Sequence, residues 1–252
     1  MGRALRWAPP AGRIAAIAAL AVLACGLGSR GQEANRGLSV VPVSFEMASG
    51  QMTAVLNLQN NTEHDVDFQV RAFAWGQPGG VDQLTPTDTL IASPPLGHMS
   101  VNAGQVVRLV LRRPAQGGEA AYRILLDQLP PPPQPGVVGL ALRLSIPVFA
   151  QPKTRVAPRL SWSIQSGGGA HYLVAVNHGD RHDTIRDMVL SAAGGRPIAL
   201  EANASPYVLP GATRRWRIAS KDFAPSREGL HLTARADTGP VDQPVSISDA
   251  AP

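Results

Sequence analysis

The chain has 252 residues, a length that suits two ordinary domains of roughly 100–150 residues each. Hydrophobic residues make up 44% and charged residues 16%, with 25 glycines and 23 prolines; this excludes a disordered polar tail, and turn formers so frequent between short apolar stretches exclude a helix bundle. The formal charge of +5 sits partly in an N-terminal segment expected to be removed, so it makes no case for nucleic acid.

That segment opens with Arg3, Arg6 and Arg13 and then runs apolar from Ile14 to Leu27. A basic start followed by a short apolar run predicts a secretory signal peptide over residues 1–31. The run is shorter than the roughly 20 residues of a transmembrane helix, so the mature protein is not expected to be membrane-embedded. The only cysteine, Cys25, lies inside it. An acylated Cys25 after Val22-Leu23-Ala24 is the competing outcome. Otherwise the exported protein carries no disulfide and its fold rests on its own cores.

From Leu38 onward the pattern is one of strands and turns. Met52–Leu58 alternates and ends in the turn cluster Gln59-Asn60-Asn61-Thr62. Val66–Trp75 alternates next, with Val66, Phe68, Val70, Ala72 and Ala74 on one face and Asp67, Gln69, Arg71, Phe73 and Trp75 on the other. Val106–Leu111 and Tyr122–Leu129 are further strands, followed by the proline loop Pro130–Gly136, which lacks the donors to join a sheet. A strand from Val137 to Ala150 comes straight after it.

The pattern breaks at Gln151-Pro152-Lys153 and resumes with Arg159–Ile164, Tyr172–Val176, Ile185–Ala192, Ile198–Glu201, Thr213–Ile218 and Gly229–Ala236. The expected fold is all-β, two immunoglobulin-like β-sandwich domains set at an angle. The first domain spans 37–151 and the second 152–250.

Catalytic chemistry is not legible. The mature chain has no Gly-x-Ser-x-Gly elbow, no cysteine nucleophile and no phosphate-cradling glycine loop. No catalytic, metal-binding or cofactor-binding residue is expected, and no cofactor. His178, Asp180, His182 and Asp183 lie together, but Gly179 among them argues against a helix that would pair the histidines on a metal. The stretch reads as a polar hairpin loop. The arginines are dispersed and lack aromatic stacking platforms, so no nucleic-acid groove is expected.

The informative element follows the proline loop. Val138, Leu140, Leu142, Leu144 and Ile146 are large and apolar at every second position, while Val137, Gly139, Ala141, Arg143, Ser145 and Pro147 are smaller or polar. Spacing alone favours a face packed on the domain's own core. The alternative is an edge strand whose apolar face is donated to another protein's sheet.

Several stretches together resemble the periplasmic pilus-assembly chaperones of the chaperone–usher type. They are Leu38–Met47, Leu56–Asn60, Leu90–Pro95, Ala103-Gly104-Gln105, Tyr122–Pro130 and Leu144–Phe149, with Asn177-His178-Gly179 and Tyr207–Gly211 in the second half. The resemblance implies two immunoglobulin-like sandwiches, a periplasmic location, pilin subunits as partners and an outer-membrane usher as recipient. It implies that Val138, Leu140, Leu142, Leu144 and Ile146 form a donor strand, which raises the outward-facing reading above the core reading.

Many members hold the pilin's terminal carboxylate with an arginine on the first strand and a lysine late in the donor strand; the aligning positions here are Ser44 and Pro147. Arg71, Arg108 and Arg123 are the candidate replacements, since a guanidinium offers a carboxylate a bidentate fork. A secreted adhesion or carbohydrate-binding module, such as a minor pilus component, is the competing class. It would carry an apolar donor strand at its mature N-terminus, where Gln32–Gly37 is polar.

Overall fold

The computed structural model describes residues 37–130, 136, 140–154, 156–192, 194–202, 205–219, 223 and 229–248. The signal segment, Cys25 and Val138 lie outside them. The first half forms β1 (Leu38–Val41), β2 (Phe45–Met47), β3 (Thr53–Asn60), β4 (Val66–Gly76), β5 (Gln83–Pro86), β6 (Leu90–Ser93), β7 (Leu96–Met99), β8 (Gly104–Leu111), β9 (Ala120–Gln128) and β10 (Arg143–Ala150). The second forms β11 (Leu160–Gly167), β12 (Ala170–Asn177), β13 (Asp183–Ser191), β14 (Pro197–Ile198), β15 (Tyr207–Val208), β16 (Thr213–Arg217), β17 (His231–Ala236), β18 (Gly239–Pro244) and β19 (Ser246–Ile247).

In the first sandwich a sheet of order β1-β3-β8-β6 faces one of order β2-β10-β9-β4-β5, with β7 also on β4. Alternation explains the pairing. Leu56 and Leu58 from β3 and Val107, Leu109 and Leu111 from β8 meet Phe68 and Val70 from β4, Ile124 and Leu126 from β9, and Ile146 and Val148 from β10 in one core. The second sandwich sets β16-β12-β11-β19 against β14-β13-β17-β18, with β15 on β13. Its core gathers Trp162, Ile164, Leu173, Ile185, Leu190, Trp216 and Leu232.

Each sandwich buries one asparagine that ties its strand ends. The Asn60 amide donates to the carbonyls of His64, Met99 and Ser100 at 2.9–3.1 Å, and its Oδ1 accepts from the Thr62 amide at 3.0 Å. Asn177 donates to Arg181 and Val208 and accepts from the amides of Arg159 and Gly179. Both asparagines are fully buried, and each satisfies backbone groups that a closed core would otherwise leave unpaired.

A third apolar cluster joins the halves: Trp75 and Phe149 from the first sandwich against Leu209 and Ala212 from the second, with Tyr207 packed on it. The turn Pro78–Gly80 adds polar staples. Arg214 donates to the Gly80 carbonyl at 2.8 Å, and the buried Gln77 bonds the Tyr207 carbonyl and the Leu209 amide. Gly80 sits at φ +82, and a Cβ there would meet the Thr213 carbonyl oxygen at 2.7 Å. Only glycine fits this crossing point.

Candidate functional site

The outer face of the β2-β10-β9-β4-β5 sheet carries the residues that the core rejects. The ladders set them in rows across β10, β9 and β4: Arg143, Asp127 and Gln69; then Ser145, Leu125 and Arg71; then Pro147, Arg123 and Phe73. The last row lies nearest the second sandwich, beside Trp75 and Phe149.

Arg123 is the cation at that inner end. Its guanidinium lies 3.7 Å from the Trp75 ring centroid and 5.3 Å from that of Tyr207, and it donates to the Ser145 carbonyl at 3.3 Å. Burial pushes its pKa down, against the opposing pull of Tyr207 and Asp82. It forms no salt bridge among the described residues, so stacking on aromatic faces takes the place of a paired anion.

Arg71 is differently engaged. Its guanidinium lies 2.6 Å from Asp127 Oδ2, and Arg143 Nε binds the other oxygen of the same carboxylate. Burial of Asp127 works to raise its pKa, yet hydrogen bonds from Arg143 and Arg71, with their charges, hold it below the ordinary carboxylate value. Arg108 does not join this face. It projects outward from β8 in the opposite sheet, opposite Val55 and Ser93, because strand membership puts it on the far side of the sandwich. The expectation of a cleft anchor is corrected there.

The apolar stripe after the proline loop divides between two environments. Ile146 is 3% exposed in the first sandwich's own core, and Leu144 is partly buried against that core. The outward-facing expectation is therefore corrected at Ile146, and in part at Leu144: both still lie beneath the opposite sheet. Beyond the last β9–β10 rung, where the Gln128 amide donates to the Leu142 carbonyl at 2.8 Å, the same side emerges. Leu142 is 42% and Leu140 89% exposed.

On its other edge β10 pairs with β2 only over Val148–Ala150. From Arg143 to Pro147 that edge has no strand partner among the described residues. A groove of about 350 Å³ opens where Leu142 leaves the sheet, lined by Arg71, Asp127, Leu129, Pro130, Leu142 and Arg143 among others.

The stretch 177–183, expected as a polar hairpin loop, is a loop that leaves His178 and Asp180 exposed and buries His182; it is corrected only in that it crosses between sheets, from β12 to β13, rather than closing a hairpin. His182 stacks on Phe149 with centroids 3.5 Å apart, and its Nδ1 lies 2.6 Å from Glu119 Oε1 of the first sandwich. The His182 amide donates to the same oxygen, Gln151 donates to Glu119 Oε2, and Arg181 approaches both Glu119 and Glu46. Glu46 is half-exposed, and burial raises its pKa above the ordinary value against the pull of His182. Two residues before it, Ser44 is exposed and bears no charge.

Comparison with known proteins agrees with this architecture. Residues 37–155 match the family described as pili and flagellar-assembly chaperone, PapD N-terminal domain. No curated protein matches the sequence. Among solved structures, one similar chain comes from the CsuC–CsuE chaperone–tip adhesion subunit pre-assembly complex of archaic chaperone–usher Csu pili of Acinetobacter baumannii. It is 20% identical with a TM-score of 0.64, covering 85% of this chain and 99% of that one.

The YadV chaperone is 16% identical with a TM-score of 0.58, covering 82% and 97%. The Salmonella enterica SafA pilin–SafB chaperone complex gives 17% and 0.58, covering 83% and 96%. Residues 37–155 therefore carry the match to the PapD-type pili and flagellar-assembly chaperone N-terminal domain, and the chain as a whole has the PapD-like fold of two immunoglobulin-like sandwiches.

Proposed function

We propose that this protein is an exported periplasmic chaperone, its first 31 residues a signal peptide, that binds pilin subunits by adding its own strand to their sheets and passes them to an outer-membrane usher. It performs no catalysis. The observation that carries the reading is the edge of β10 from Arg143 to Pro147, unpaired among the described residues and continued by the exposed Leu142 and Leu140. An uncovered edge with apolar side chains invites aggregation unless a partner pairs with it. Strand addition supplies main-chain hydrogen bonds along that edge while alternate side chains fill the partner's groove. Val138 extends the same series, and burying each such residue contributes roughly 1.5–3 kcal/mol before ordering costs.

Arg123 is the terminal-carboxylate anchor in this reading, in place of the basic pair that Ser44 and Pro147 cannot supply. It stands next to Pro147 across the ladder and has no salt-bridge partner among the described residues. β10 runs from Arg143 toward the second sandwich, so a strand whose C-terminus reaches Arg123 runs parallel to it. Loss of the basic pair, together with the shared fold, is in keeping with the archaic branch linked to spore-coat-U-like pilins.

The test is co-purification of a tagged subunit. Leu140→Asp and Leu142→Asp are expected to abolish capture while circular dichroism stays that of the wild type. Arg123→Ala is expected to weaken capture about ten- to a hundredfold, the loss of one charge-assisted contact. Undiminished capture by the two leucine variants would overturn strand addition at these positions.

A further inference from the structure

The outer end of the same face holds a second cationic group that the terminal carboxylate does not use. Asp127 is nearly buried, yet two guanidinium groups share it, Arg71 at 2.6 Å and Arg143 on its other oxygen. One carboxylate against two guanidiniums leaves one positive charge over. Each arginine also has more donors than Asp127 can accept: Arg143 is 63% and Arg71 40% exposed, and Arg71 Nε is buried without a hydrogen-bond partner among the described residues. Both border the groove of about 350 Å³ beside Leu142.

Arg143 is the first residue of the open edge and Pro147 the last, with Arg123 opposite Pro147. Four residues of extended chain separate the two levels, roughly 13 Å. Positions four apart also share a face, so a strand lying along this edge presents both to the cleft side.

We propose that Arg71 and Arg143, bridged by Asp127, form a second anion subsite that takes an acidic side chain of the bound strand, four positions before its C-terminal residue. The proposal rests on strand addition with the terminal carboxylate at Arg123. Asp127 is a positioning residue: it holds both guanidiniums on the cleft face and is not itself a contact for the ligand. The subsite sets register, because a strand slipped by one residue turns its acidic side chain to the opposite face, and it discriminates among subunits by the acid they carry.

The probes are synthetic peptides of about ten residues in alternating apolar and polar order, with a free C-terminus and either Glu or Gln four positions before the last residue. A third peptide carries the Glu and a C-terminal amide. Binding to the purified protein is read by fluorescence anisotropy. The Glu peptide is expected to bind about five- to tenfold more tightly than the Gln peptide, as an exposed charge-assisted contact contributes about 1 kcal/mol, and the difference is expected to shrink in ~0.5 M salt.

Arg143→Gln and Arg71→Gln should each reduce that difference without changing the far-ultraviolet spectrum. Equal binding of the Glu and Gln peptides by the wild type overturns the subsite. Equal binding of the free and amidated peptides overturns the Arg123 anchor, and with it the placing of the acid four positions before the terminus. If none of the three binds, strand addition falls and the subsite with it.

Discussion

Two carboxyl groups have pKa values shifted in opposite directions, and the protein's acid stability should report both. Asp127, held by Arg143 and Arg71, has a folded pKa below its ordinary 3.8. Its contribution is complete above that value and is lost as pH falls through the folded pKa. Glu46, raised above 4.5 chiefly by burial, does the reverse: its contribution is complete below its unfolded value and is lost as pH rises through the folded one. Urea midpoints measured from pH 2 to 7 should therefore fall more gently below pH 4 in Asp127→Asn than in the wild type. Glu46→Gln should be at least as stable as the wild type at pH 7, and a lower midpoint there would mean that its contacts with Arg181 and His182 outweigh its desolvation.

The alternation that sets Arg71 on the face opposite Phe68 and Val70 was legible from β4 alone, and Arg123 stood as a candidate on a neighbouring strand. Their division of labour was not, since Asp127 and Trp75 approach them only once the strands have paired. Arg108 looked equivalent in sequence because nothing local records which of two sheets a strand joins.

At the scale of the element, β10 and its forerunner form one stripe in two solvents. The alternation from Val138 to Ile146 was plain in the sequence. The place where it leaves the core was not, because that depends on where β9 ends and how far the opposite sheet reaches.

The stripe should grade accordingly under truncation. Ile146→Ala removes a side chain from a closed core and should cost about 2–5 kcal/mol, whereas Leu140→Ala should stay within about 0.5 kcal/mol. Thermal or urea unfolding of the two variants measures this directly. Equal costs would mean that Leu140 also packs within the chain. The core reading of the spacing thus holds at Ile146 and in part at Leu144, while Leu142 and Leu140 are exposed.

For the whole molecule, the telling contacts join the sandwiches. Strand count and turn spacing made two sandwiches legible, and the resemblance-bearing Asn60 and Asn177 prove to be buried ties within each. The junction was hidden because its polar members, Glu119 and His182, lie 63 residues apart and look like surface residues until the two halves meet. Removing one partner of a buried pair leaves the other uncompensated, which costs about 3–5 kcal/mol. His182→Ala also takes away the ring stacked on Phe149. The variant is expected to lose cooperativity between the halves, so that calorimetry resolves two transitions where the wild type gives one. A single transition merely shifted in temperature would mean that the apolar contact of Trp75 and Phe149 with Leu209 couples the sandwiches by itself.

The stacking of Arg123 on Trp75 also gives the cleft an optical signal. Trp162 and Trp216 stack on each other in the second core, with ring centroids 5.7 Å apart. Trp75 alone among the described tryptophans has its indole under a guanidinium at the cleft's inner end. An anion drawn to Arg123 changes the charge above that ring, so intrinsic emission should respond to occupancy without an attached dye. Titration with a free-carboxylate peptide is expected to change the emission, Trp75→Phe to abolish the response, and Trp216→Phe to leave it in place.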